Sequence, residues 1–123
     1  MNATGKFVAV LFLARDLAHR AHLFVTGPGS DAKHRALADF YDGVIEKADA
    51  LAEACIARFG EFDIPLLNND FPGDVVASIE AQLKWLEDNR YKAVPREDSP
   101  IQNLIDDLVI HYLHSLYKLK RLQ

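Results

Sequence analysis

The segment HLFVTGPGSDAKH places one histidine, His22, before a Gly-Pro-Gly turn and another, His34, after it. Neutral imidazole is a good ligand for iron, zinc or copper. Two imidazoles alone make a weak site, and carboxylates would complete one. Asp49 and Glu53 supply them further along the same segment as His34. Four residues apart, they share one helical face and can point at one ion. Asp42 falls on the same flank and is a weaker candidate.

Spacing sets a condition on this chemistry. Asp49 is fifteen residues beyond His34, which on a helix is about 22 Å along the axis. One chain therefore cannot gather all four side chains around one ion. Two chains can, if their copies of this helix lie antiparallel across a two-fold axis. The histidines of one chain then meet the carboxylates of the other, and the two sites are equivalent. The competing reading is plain: histidines at helix ends cap carbonyls, and a row such as Asp39, Asp42, Glu46, Asp49 and Glu53 is a solvated face.

The same stretch resembles the Dps family, the miniferritins. Their signature is His-Trp-Asn-Val-x-Gly-Pro, then a second His, then Asp-x-x-x-Glu on the following helix. Here His22, Val25, Gly27, Pro28, His34, Asp49 and Glu53 stand in those registers. The resemblance implies a ferritin-like four-helix bundle with iron as its metal. It also implies a ferroxidase site across a two-fold interface, with His22 and His34 from one chain and Asp49 and Glu53 from the other. It further implies a homo-oligomer, at least a dimer, with a cage as the larger assembly. The chain departs from the pattern at Leu23 and Phe24, in place of the Trp and Asn. It departs again at Ala38, where the family has a third acid. Zinc held by the same ligands without redox is the alternative metal. A non-enzymatic helical bundle serving assembly or partner binding, similar in size to small phage-encoded helical proteins, is the alternative function.

A second constellation, Asp107, His111 and His114 in DLVIHYLH, occupies one helical face at steps of four and three. It is a weaker metal candidate, resembling the carboxylate and histidine spacing of di-iron bundles. Polar groups at a subunit contact are the simpler explanation. Tyr41 is a candidate electron relay, though a core position suits it as well. The glycines at 27 and 29 form no phosphate loop, lacking the lysine and the preceding strand. The basic run YKLKRLQ suits the negative end of a helix dipole.

The elements that must position these residues are four helices. Apolar residues recur at steps of three and four over about Gly5 to Val25, Asp31 to Phe59, Asp74 to Asn89 and Pro100 to Leu122. Ser30 and Ser99 are candidate N-caps, the latter with Pro100 in the first turn and Gln102 closing a capping box. The best strand signal, FDIPLL, is interrupted by Pro65. The expectation is an all-α, antiparallel four-helix bundle in a single domain over residues 1–123, with short connections. The last helix carries a second apolar stripe, Ile110, Leu113 and Tyr117, opposite its core stripe, which points to cover by another subunit.

Bulk composition narrows the classes. A net charge of -4 argues against DNA binding by the general surface. A lone cysteine, Cys55, on the core stripe gives neither a disulfide framework nor a cysteine zinc site and fits a reducing, cytoplasmic setting. The apolar run FVAVLFLA is too short to span a membrane and reads as buried helix.

Overall fold

The computed structural model describes residues 2–122 as four α-helices, with no strand among them. They are α1 (Asn2–Leu23), α2 (Ser30–Phe59), α3 (Val75–Ala93) and α4 (Ser99–Arg121). Helix α1 packs on α2 and α3, and α4 packs on α2 and α3, so α1 and α4 are diagonal, as are α2 and α3.

Direction follows from contacts at the ends. The Thr4 hydroxyl near the start of α1 donates to the carbonyl of Ala93 at the end of α3, at 2.5 Å. Arg58, at the end of α2, pairs with Asp98 just before α4 at 3.1 Å. Lys118, late in α4, pairs with Asp39, early in α2, at 3.5 Å. Hence α1 and α4 run one way, and α2 and α3 the other. The expectation that successive helices are antiparallel holds for α1–α2 and α3–α4 but not for α2–α3, which are parallel. The link between those two returns along the whole bundle as an extended strap. It leaves α2 at Gly60 (φ 89°) and reaches Asp74, with no regular structure over residues 60–69. One long crossover joining two helical hairpins is the connectivity of ferritin-like bundles.

Helix α1 buries more than one stripe. Phe7, Val10, Leu11, Ala14 and Ala18 face the core as their spacing predicts, but Val8 and Ala9 are buried too. Phe62, Leu67 and Phe71 of the strap pack against the core cluster. On α2 the core takes Phe40 together with Leu37, Val44, Ala48, Leu51 and Cys55, and leaves Tyr41 half-buried.

Two caps differ from expectation. Helix α2 is preceded by Gly29 in the left-handed region (φ 78°), and Ser30 lies inside the helix. Helix α4 is capped by Asp98, whose carboxylate accepts from the Ile101 amide at 3.5 Å, so Ser99 is its first residue. Gln102 closes no capping box. Its side-chain amide donates instead to the Val94 carbonyl at 3.0 Å, and its Oε1 accepts from Arg90 at 2.8 Å. A side chain expected to start α4 thus satisfies the end of α3, where the helix leaves carbonyls without intrahelical partners.

The buried polar groups form their own chain in the bundle centre. The Tyr112 hydroxyl donates to Gln82 Oε1 at 2.8 Å, and Gln82 Nε2 donates to Ser78 Oγ at 3.0 Å. Burial alone holds the Tyr112 hydroxyl well above the usual tyrosine range, so it stays a donor. The buried polar residues among those described are Thr4, Ser78, Gln82, Gln102 and Ser115, with no carboxylate and no histidine. Bundles that hold di-iron centres in the core use inward-facing carboxylates and histidines there.

Candidate metal centre

The α1–α2 hairpin brings His22 and His34 together as the spacing requires. Their rings stack with centroids 3.5 Å apart and planes inclined by 24°. His22 Nδ1 donates to the carbonyl of His34 at 2.8 Å, and His34 Nδ1 donates to the carbonyl of His22 at 2.9 Å. A carbonyl can only accept, so both Nδ1 atoms carry hydrogen. In the neutral rings both Nε2 atoms then keep their lone pairs. An imidazole whose Nδ1–H is held by a backbone carbonyl has the tautomer and orientation usual in metal-ligating histidines.

The surroundings are aromatic. His19, one turn before His22, stacks on Tyr41 at 4.6 Å, and His22 meets the same ring edge-on at 5.4 Å. The Arg15 guanidinium lies over Tyr41 at 5.7 Å. Sequence reasoning passed over His19 and Arg15 as flank residues. The steps of four and three from Arg15 to His19 to His22 on one helix were the available signal.

The carboxylates stand elsewhere on α2. Asp42, Asp49 and Glu53 are all exposed. None of the three makes an ion pair or side-chain hydrogen bond with another described residue. Among the described residues no three histidine, cysteine, aspartate or glutamate side chains come together as a group able to hold a metal ion. Within one chain the arrangement is a pair of imidazoles at one end of α2 and a pair of free acids towards the other.

The second constellation is dispersed as well. Asp107 and His114 are exposed, while His111 turns inward between α4 and α2. His111 Nε2 donates to the Phe40 carbonyl at 2.9 Å, and its ring lies parallel to that of Phe40, 5.7 Å away. It fits over Gly43, where any Cβ would collide with the imidazole. The three residues share a helix face, but the structure does not bring them together as ligands. His111 is a packing residue with its Nε2 committed.

Burial holds the His111 imidazole below its usual pKa of 6.5, aided by the charges of Lys47, Lys118 and His114 and opposed by the Phe40 hydrogen bond. The unfolded chain takes up a proton near pH 6.5, and the folded chain only at lower pH. Between those values the unfolded state binds more protons, so stability is full above pH 6.5 and falls as pH drops through the window. The urea midpoint should decrease from pH 7.5 to pH 5.5. In His111→Gln the decrease should be smaller, and an unchanged slope would exclude His111 as its source.

Cys55 is buried, as its place on the core stripe implied. Its thiol is pushed up to about 11 by burial and by the charge of Asp98, so no thiolate is available as a nucleophile or ligand. No helix among the described residues is long and apolar enough to cross a membrane.

No curated protein and no solved structure matches the chain. Residues 29–119 match the model of a family of unknown function, DUF5856. The matched stretch begins at the turn and takes in α2, the strap, α3 and nearly all of α4, with His34, Asp49 and Glu53 inside it and His22 before it. Since the match spans most of the chain and most of its bundle, the protein belongs to the DUF5856 family of unknown function.

Proposed function

We propose that the protein is a Dps-like iron-binding homodimer, with two equivalent sites shared across the two-fold axis. His22 and His34 of one chain and Asp49 and Glu53 of the other hold Fe(II). Each Fe(II) gives up one electron, two of them with two protons reduce one hydrogen peroxide to two waters, and the Fe(III) is sequestered. The observation that carries this reading is the reciprocal Nδ1–carbonyl pair, which leaves two Nε2 lone pairs at the surface with no second role. The partnerless acids Asp49 and Glu53 are the complementary half.

The placement of apolar surface supports the same axis. Pairing His34 with Asp49 and Glu53 of a second, antiparallel α2 puts the axis midway between them, level with residues 42 to 44. Phe12 lies ten residues before His22 on α1, and Val44 lies ten beyond His34 on α2. In an antiparallel hairpin clasped at His22 and His34, those two stand at one level. Phe12 is 38% exposed, so an unburied aromatic sits where the centre of the interface would be. A metal–imidazole bond lies in the ring plane, so sharing one ion requires the stacked rings to hinge apart. The turn between them has its two glycines in the left-handed region, at φ 87° and 78°.

The test is Fe(II) addition followed by peroxide, with Fe(III) absorbance recorded and mass measured in solution. Wild type should oxidise Fe(II) faster than buffer, and His34→Ala and Glu53→Ala should both fall to the buffer rate while remaining folded. A folded wild-type chain that neither binds nor oxidises Fe(II) would sink the reading. Tight Zn(II) binding without Fe(II) oxidation would replace it with a zinc-stabilised dimer.

A further inference from the structure

Helix α4 presents a row of exposed residues on the side away from its core stripe. Ile110, Leu113 and Tyr117 are 50%, 47% and 57% exposed. At about 100° per residue they lie within one narrow sector, nearly opposite Leu108 and Tyr112. The row has charged ends of opposite sign: Asp107 on the N-terminal side and Arg121 on the C-terminal side. Neither has an ion-pair partner among the described residues.

We propose that this face of α4 is a self-association surface whose occupant is α4 of a second copy, running antiparallel across a two-fold axis between Leu113 and His114. The order of residues argues for that occupant. Turning the row end for end about the point between Leu113 and His114 exchanges Ile110 with Tyr117 and sets Asp107 level with Lys120, one residue's rise, about 1.5 Å, from Arg121. Apolar residues then meet apolar residues, and the acid of each chain meets the base of the other at both ends. An isologous interface requires this self-complementarity, whereas an unrelated partner or a lipid surface would not select it. A parallel arrangement would set acid against acid and base against base. The surface is separate from the paired histidines and does not depend on metal.

A contact between two single helices lies at the low end of stable interface size, so association should be weak and concentration-dependent. Sedimentation velocity on the full chain in the presence of a chelator tests it, with circular dichroism to establish helicity. Leu113→Asp places two like charges at the axis and should weaken association at least tenfold. Asp107→Arg gives a chain basic at both ends of the row, and Arg121→Asp one acidic at both ends. Each alone should associate at least tenfold more weakly, and their equimolar mixture should associate as wild type does. All three positions are exposed, so the helix should be retained. Association as strong in Leu113→Asp as in wild type, or a mixture no better than its components, would overturn the proposal.

Discussion

Equal mixtures of His34→Ala and Glu53→Ala chains are expected to recover Fe(II) oxidation that neither variant shows alone. In a dimer of two His34→Ala chains both sites lack an imidazole, and in a dimer of two Glu53→Ala chains both lack a carboxylate. A mixed dimer is different. One of its sites combines both defects, while the other takes its histidine from the Glu53→Ala chain and its acids from the His34→Ala chain, and is intact. Random assortment makes half the dimers mixed, so about one quarter of all sites are whole. The readout is the initial rate of Fe(III) formation after mixing, with subunit exchange verified by native mass measurement. Two inactive variants that stay inactive after exchange would place all the ligands in one chain or deny the site. Each substitution removes one of the four protein ligands of its site, and water replaces neither the basicity of an imidazole nor the charge of a carboxylate there.

The second large effect concerns the strap. Gly5 lies in the first turns of α1, and a Cβ there would collide with the backbone carbonyl of Asp63. That carbonyl cannot swing away as a side chain would. Gly5→Ala should therefore lift the strap from α1 and uncover Phe62, whose ring also lies against this glycine. Overpacking of this kind costs about 1–3 kcal/mol, and the better helix propensity of alanine returns at most about 1 kcal/mol. A net loss of about 1–2 kcal/mol is expected in urea unfolding. Gly73→Ala, on the far side of the strap with nothing near its Cβ position, should change little. Equal effects at the two glycines would remove the crossover contact as the cause.

The helices were legible because each has a buried stripe spaced by threes and fours, and the four stripes together account for most of the core. The caps were less so. At Ser99 and Ser30 a good capping residue was outcompeted by its neighbour, Asp98 through its charge and Gly29 through its left-handed backbone. Adjacent apolar residues also defeat periodicity: Phe40 and Tyr41 both fit a helical face, and only tertiary packing chose Phe40 for the core. The direction of α3 could not be read, because a strap of fifteen residues is long enough either to turn back or to cross over. For the candidate site, the meeting of His22 and His34 followed from a Gly-Pro-Gly turn between two helices. The reciprocal bonds that fix their tautomers involve main-chain carbonyls and left no trace in residue identity. His111 shows the opposite failure. A histidine at ligand spacing was a packing residue because Gly43 opened a slot for it on the neighbouring helix.

The diagonal placement of α1 and α4 has a consequence for growth. The face bearing Phe12 and the paired histidines and the outer row of α4 point apart, so occupying one leaves the other accessible. If both faces pair as proposed, assembly does not stop at two copies. Each added chain exposes the face it did not use, and the particle ends only where the two axes are so inclined that the last copy meets the first. The angle between those faces, set by a crossover that puts α4 across from α1, would then decide between a closed shell of fixed size and an unending thread.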